Sequence, residues 1–341
     1  MSKNAPDSPL RGLAAAAVAV AAGALLVWLI ASQASAYVVT LAAVLFINAS
    51  LAMSLTLTNG LTGLFSLGHP AFMTIGAYVA AILTFPVRRK PSMLPDLPDF
   101  IATTELSLLP AVLIAGVVGA AIAFLVGLPV LRLRGHYLAV ATLGLIVIAQ
   151  GLATNWDGIT RGGAGLSGIP RLAGIWWAFG LMVVVAAATW RIKFSSLGRA
   201  MMATRENELA AECSGIDTVR IRMIAFVLGA FVAAIAGALL AHLISVVTPR
   251  TYSVLLAFNL VVMVVIGGSG SIVGAVLAAC AITILSETLR PVEEGLGLYG
   301  MSQVIVALSL ILILFFRPQG LFGSGEPALV RRFFNGRFLR S

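Results

Sequence analysis

Residues 191–222, RIKFSSLGRAMMATRENELAAECSGIDTVRIR, hold ten of the chain's 35 charged residues, and the sequence on either side is apolar and almost charge-free. Arg199, Arg205, Glu206, Asn207 and Glu208 within this island can form ion pairs and hydrogen bonds with a water-soluble surface. They are not spaced for bond-making chemistry. The chain has no GxxxxGK[ST] phosphate loop and no Gly-Lys pair, no HExxH, and no GxSxG elbow with a plausible acid and base. His69, His136 and His242 are far apart and have no ligand-spaced partner, so no metal site is expected. Cys213 and Cys280 fall in the island and in an apolar stretch, and no disulfide is expected. These residues describe a protein that is gripped by a partner; they do not describe an enzyme.

Two glycine-marked turns add a second kind of site. NGLTGLFSLGHPA (residues 59–71) carries Gly60, Gly63 and Gly68, with Pro70 suited to the first turn of a following helix. The other is Gly267, Gly268, Ser269 and Gly270, leading to Ser271 and Gly274. One reading is a broken helix that offers helix ends or free backbone groups to a solute; the other is a turn with small-residue helix packing. Gly68, His69, Thr142 and Asn259 are the candidate residues of a translocation path. Asn48, Gln150 and Gln303 are further intramembrane polar residues that can line a path or bond to a neighbouring helix. Apart from Glu287 near a helix end no carboxylate sits at mid-span, which argues against an ion-coupled carrier with an acidic relay. NWDGITRGGAGLSGIP (155–170) is too polar and glycine-rich for a span and reads as an outer loop.

The elements that position these residues follow from composition. With 60% hydrophobic residues, 10% charged residues and a mean hydropathy of +1.04, the chain lacks the polar surface of a soluble globule. Residues 12–87 contain no Asp, Glu, Lys or Arg, enough for three spans of roughly 20 residues each. About ten apolar stretches are expected as helices, near 12–33, 37–58, 69–87, 106–130, 136–153, 174–190, 223–245, 252–268, 270–290 and 299–316. Continuous apolar runs rule against a transmembrane barrel. The fold class is therefore an all-α polytopic transmembrane helical bundle with a cytoplasmic coupling helix, forming a single domain over 1–341 with the coupling loop at 191–222. That helix is expected to begin near Leu197 on a Ser195 or Ser196 cap and to end at Gly215, with Met202, Leu209 and Cys213 on one face.

Basic residues mark the cytoplasmic side. Placing both termini inside puts 15 of the 22 Lys and Arg residues there: Lys3, Arg11, Arg132, Arg134, the six of the island, and Arg317, Arg331, Arg332, Arg337 and Arg340. The cluster Arg88, Arg89 and Lys90 falls outside, against the rule, in a loop that also carries Asp96, Asp99 and Glu105. The net charge of +9 is explained by orientation and membrane lipid, and no nucleic acid partner is expected. The first apolar run is longer than a secretory signal core and reads as a retained helix.

The sequence resembles the LivM-type permease subunits of bacterial branched-chain amino acid ABC importers over essentially its whole length. The stretches that carry the resemblance are GLTGLFSLGHPAFMTIGAYVAA from Gly60, GHYLAVATLG from Gly135, NWDGITRGGAGLSGIP from Asn155, GRAMMATRENELAAECSGI from Gly198, GGSGSIVGAV from Gly267 and RPQGLFG from Arg317. The island is similar to the EAA loop of such permeases, whose short helix docks in a groove of the ATP-binding subunit, with Ala210, Ala211 and Gly215 at its Ala-Ala-xxx-Gly core. Where that loop has Glu directly before the alanines, this chain has Leu209, with Glu208 one position earlier. The resemblance implies ATPase coupling through Gly198, Arg199, Arg205, Glu206, Asn207, Glu208, Ala210, Ala211 and Gly215. It implies a LivH-like second permease, two ATP-binding subunits that carry the ATP and Mg, and a periplasmic or lipid-anchored substrate-binding protein. This chain would then bind no cofactor and lie multi-pass in the bacterial inner membrane, forming the path for leucine, isoleucine and valine. Import of urea, amides or aromatic acids on the same architecture stays open, as does an ATP-independent carrier.

Overall fold

The structure is a computed structural model, described here over residues 9–133, 135–297, 300–317, 319–323 and 325–326. Lys3, Arg134 and the basic residues beyond Glu326, which entered the orientation argument, lie outside the described residues.

Each apolar stretch becomes a helix because, without water, a helix is the local structure that satisfies its own backbone. The chain runs through α1 (Pro9–Gln33), α2 (Ala36–Leu55), α3 (His69–Thr84), α4 (Lys90–Met93), α5 (Asp99–Ala102), α6 (Leu108–Val130), α7 (His136–Asn155) and α8 (Asp157–Thr160). It continues through α9 (Ile175–Lys193), α10 (Ser196–Glu206), α11 (Glu208–Cys213), α12 (Thr218–Ile244), α13 (Val254–Gly267), α14 (Ile272–Leu296) and α15 (Met301–Phe316). Pro70 sits in the first turn of α3, as expected, and at the start of α14 the Ser271 Oγ accepts the Gly274 N–H at 3.0 Å. By length and composition, six helices among the described residues can cross a membrane: Ala36–Leu61, α6, α7, α9, α12 and α14. A seventh arises if α3 is joined to Val87–Met93 across a 100° bend, and Ala17–Gln33, α13 and α15 are shorter apolar helices. All ten apolar stretches are thus helical, while six reach span length outright.

The core is built around α12, which lies along both α3 and α6. Close approach depends on glycine at the crossings. A Cβ on Gly76 would overlap the Ala234 backbone, and one on Gly237 would overlap Met73, so α3 and α12 meet backbone to backbone. Tyr252, fully buried, donates its hydroxyl to the Gly237 carbonyl at 2.9 Å and fastens the segment before α13 to the same crossing.

The directions of α9 and α12 sort the connections to two ends. At one end lie α10 and α11. At the other, the 85–107 segment meets the 156–170 loop, where Asp96 N–H reaches the Gly158 carbonyl at 3.3 Å. The placement of Arg88, Arg89 and Lys90 away from the island therefore stands in the fold, and Lys90 shows how such a charge is accommodated. Its amine is buried and donates to the carbonyls of Ile101, at 2.8 Å, and Thr104. Burial holds its pKa below the ordinary lysine value. The 155–170 loop also contains a two-residue strand, β1 (Leu166–Ser167), paired antiparallel with β2 (Val246–Val247). Helix-only expectations missed this pair, because two residues carry no readable periodicity.

Gly76→Ala is expected to cost about 1–3 kcal/mol by overpacking the α3–α12 crossing. Gly144, which has open space around its Cβ direction, is expected to tolerate Ala with no loss, since Ala gains up to ~1 kcal/mol in helix propensity. Thermal unfolding of the two detergent-purified variants checks the contrast.

Candidate functional site

The island forms two helices where the sequence suggested one. Ser195 Oγ accepts the Gly198 N–H at 3.3 Å and starts α10, as expected. Gly198 is required there, because a Cβ would overlap the carbonyls of Ile192 and Lys193 at the end of α9. The helix then breaks at Asn207, whose backbone is extended (φ −156°, ψ 108°) and whose side chain caps α11 by accepting the Ala210 N–H at 3.0 Å. An Asn that bonds to the backbone ahead of it competes with helix continuation, and here it wins. Gly215, at φ +82°, ends α11 in the left-handed region that favours glycine.

The break corrects the expected apolar face. Met202, Leu209 and Cys213 do not share a buried stripe: Leu209 is 71% exposed and Cys213 is exposed, while Gly198, Met201, Thr204 and Ala211 turn inward. The candidate coupling residues divide accordingly. Arg199, Glu206, Asn207, Ala210 and Gly215 are exposed, whereas Arg205 and Glu208 are half-buried and already engaged within the chain. Glu208 pairs with Arg222 of α12 at 2.7 Å. Arg205 donates from Nη1 to the Gly60 carbonyl at 2.7 Å.

Gly60 belongs to the first glycine-marked segment, which proves to be a helix break. After α2 the chain winds into a π-helix, Thr56–Leu61, then runs irregularly to His69. The positive φ is at Gly63 (+71°), not Gly68, whose φ of −77° is ordinary. A Cβ on Gly68 would meet Thr142 Cβ at 3.4 Å, so the residue packs directly beside α7. Asn59 ties the irregular segment to itself, accepting the Ser66 N–H at 3.1 Å and donating to the Ser66 carbonyl at 3.0 Å. Thr142 Oγ1 accepts the Leu67 N–H at 3.0 Å. His69 is buried, with Nε2 3.2 Å from Ser54 Oγ, and Ser54 also donates to the Gly229 carbonyl at 3.1 Å. The structure thus gathers Gly68, His69 and Thr142 around one break. Asn259 lies half-buried on α13, apart from these hydrogen bonds. Asn48 and Gln150 bond to neighbours, Asn48 to Thr283 Oγ1 at 3.1 Å and Gln150 to the Tyr252 carbonyl at 3.2 Å.

The two glycine turns touch. A Cβ on Gly60 would overlap the Ser269 carbonyl. Beside that turn, Lys193 at the end of α9 donates to the Gly270 carbonyl at 2.5 Å and pairs with Glu326 at 2.6 Å, both side chains nearly inaccessible. Glu326 also accepts the N–H groups of Ile272, at 2.9 Å, and Val273, at 3.3 Å, and the Ser271 hydroxyl at 3.0 Å. The RPQGLFG stretch leads into this contact, with Leu321 N–H on the Ile266 carbonyl at 2.8 Å.

Comparison with known proteins places this arrangement. Residues 36–316 match the family of branched-chain amino acid transport system permease components. The high-affinity branched-chain amino acid transport system permease protein LivM of Salmonella typhimurium is 31% identical over 325 residues, covering 85% of this chain and 71% of its own length. The high-affinity branched-chain amino acid transport system permease protein LivH of Escherichia coli strain K12 is 25% identical, covering 82% of this chain and 92% of LivH. The autoinducer 2 import system permease protein LsrC of Shigella flexneri is 30% identical across 44% of this chain and 47% of LsrC. No solved structure matches. The chain belongs to the branched-chain amino acid permease family.

In this permease the matched span runs from the start of α2 to the end of α15, so it contains the island and both glycine turns. Sequence reasoning missed Lys193 with Glu326 and the reach of Arg205 to Gly60, because partners 133 and 145 residues apart leave no local pattern. It also missed a cavity of about 400 Å³ between α3, α6 and α7, lined almost wholly by carbon. Its lining includes Tyr78, whose buried hydroxyl has no hydrogen-bond partner among the described residues, and two threonines, Thr74 and Thr160, which donate to the Pro70 and Ala153 carbonyls. With no charged side chain in its lining, the cavity has no group to pair with the ammonium or carboxylate of an amino acid.

Removing one partner of a buried ion pair leaves the other charge uncompensated, so Lys193→Met is expected to destabilise the permease by about 3 kcal/mol. The double variant Lys193→Met with Glu326→Gln is expected to lose less than the sum of the two single changes, by about 1 kcal/mol or more. Thermal inactivation of the purified permease measures both.

Proposed function

We propose that this permease is one membrane subunit of an ATP-driven importer of branched-chain amino acids, with α10 and α11 as its contact to a separate ATP-binding subunit. The observation that carries the reading is the broken helix pair at one end of the bundle. It presents Arg199, Glu206, Asn207, Leu209, Ala210 and Gly215 outward while Arg205, Glu208 and Ala211 fasten it inward. An exposed Leu209 flanked by charges suits a protein groove better than bulk water. Leucine, isoleucine and valine are favoured as substrates by the LivM and LivH relatives. A LivH-like second permease and a substrate-binding protein complete the assembly, and the ATP and Mg belong to the ATPase subunits. In this reading the protein is a ten-span, multi-pass inner-membrane protein with both termini cytoplasmic, and the path passes Gly68, His69, Thr142 and Asn259. The partial likeness to LsrC, named for autoinducer 2 import, favours a second reading in which the same architecture carries another small solute.

Uptake of radiolabelled leucine, isoleucine and valine by vesicles containing the assembled complex tests the function. Absence of ATP-dependent uptake of all three would remove the substrate assignment. Ala210→Trp, on the outward face, is expected to lower ATPase co-purification and uptake by about tenfold or more at unchanged permease level. His69→Gln is expected to shift the uptake KM by about threefold or more without loss of complex. Parental uptake by both variants would dismiss the docking and path assignments.

Orientation is tested separately. Cysteines at Ser196 and Ser167, both exposed and at opposite ends, are expected to differ in intact cells: an impermeant thiol reagent reaches position 167 and not 196. Ser324, where the orientation would also be read, lies outside the described residues. Labelling at 196 from outside would reverse the topology.

A further inference from the structure

Arg205 sits in the docking segment, yet its guanidinium is turned into the protein. It ends on a backbone carbonyl of a π-helix, the Gly60 oxygen at 2.7 Å, and its stem covers Gly63, where a Cβ would lie 3.1 Å from Arg205 Cγ. Its nearest carboxylate, Glu206, is 3.8 Å away and exposed. Two irregular segments therefore meet at this one side chain: the Asn207 break between α10 and α11, and the break that follows α2.

π-Helical turns carry carbonyls without regular partners and recur where helices deform for function. A charged donor on such a carbonyl is strong and directional. Beside Gly60, residues of the same segment are held by further hydrogen bonds. Asn59 holds Ser66, Leu67 is held by Thr142, and Ser54 bridges His69 and the Gly229 carbonyl. On its far side Gly60 rests on the Ser269 carbonyl, beside the turn fixed by Lys193 and Glu326. The break thus lies against the turn held by a buried ion pair and accepts a hydrogen bond from Arg205.

We infer that Arg205 is the positioning residue that transmits movement of the docking helices to the α2–α3 break, acting inward on the Gly60 carbonyl and not outward on the ATP-binding partner. The inference rests on the docking function proposed above. A residue of the docking face would lose partner binding when truncated. A transmitting residue keeps the partner and loses the link between hydrolysis and transport.

The test uses the full complex in proteoliposomes and reads three quantities for each variant: ATPase co-purification, solute taken up per ATP hydrolysed, and amide hydrogen exchange across residues 59–68. Arg205→Met keeps the length of the stem over Gly63 and removes the donor. It is expected to retain the ATPase at parental stoichiometry, to lower uptake per ATP by about tenfold, and to raise exchange in 59–68. Arg205→Lys, which can still donate to the carbonyl, is expected to recover uptake per ATP to within about threefold of the parent. Should Arg205→Met fail to accumulate, Arg205→Leu, which also lacks a donor, is read by the same criteria. Uptake per ATP within twofold of the parent for the donor-free variant overturns the inference, as does loss of the ATPase with unchanged exchange in 59–68. Failure of the parental complex to couple ATP hydrolysis to uptake would instead strike the proposed function.

Discussion

A backbone that leaves the helical path inside a membrane protein exposes N–H and C=O groups that lipid cannot satisfy, so each must find a partner within the protein. Residues 63–68, which follow the π-helix Thr56–Leu61, are such a stretch, and together with the π-helix they draw partners from the neighbouring structure. Asn59 supplies both a donor and an acceptor to Ser66, Thr142 takes the Leu67 N–H, and Arg205 takes the Gly60 carbonyl. These partners come from the segment itself, from α7 and from α10. The break is consequently a joint where three parts of the chain must agree, and its conformation is set by tertiary contacts more than by its own propensity.

Close packing imposes the second condition. Helices in lipid gain little from the hydrophobic effect and associate through dispersion, which falls off steeply with separation. Gly76, Gly237 and Gly60 mark the places where backbone meets backbone, and each would overlap a main-chain atom if it carried a Cβ. Such contacts are stiff. Gly60, within the π-helix, lies so close to the Ser269 carbonyl that no Cβ fits between them.

The helices were legible because apolar runs of span length have few alternatives in a chain of this composition. So were their local signals: the Ser195 cap, Pro70 in the first turn of α3, and Gly215 at the end of α11. The Asn207 break was not, since Asn is tolerated in helices and only its bond to Ala210 shows that it caps a new one. Of the glycines in the 59–71 turn, the unusual backbone belongs to Gly63, while Gly68 packs beside Thr142, which is 74 residues away. Gly60 illustrates the same limit from the other side, as a glycine visible in the sequence whose partner, Ser269, is not. The island's residues divided into outward and inward sets only once the fold placed α12 and the π-helix beneath them.

The buried pair of Lys193 and Glu326 shows why a costly contact persists at this junction. Desolvating two charges offsets much of their attraction, so the pair is weak evidence for stability on its own. Position changes the balance. Lys193 stands at the C-terminal end of α9, where the helix dipole favours a cation, and Glu326 at the N-terminal end of α14, where it favours an anion and free N–H groups await acceptors. The carboxylate therefore satisfies a helix end as well as its partner, removing orphan donors that lipid would leave unpaired, and the ammonium also holds the Gly270 carbonyl. An apolar replacement would forfeit those bonds together with the ion pair. The contact brings opposite ends of two helices to the Ser269 turn, and that turn is the surface on which Gly60 and the π-helix rest.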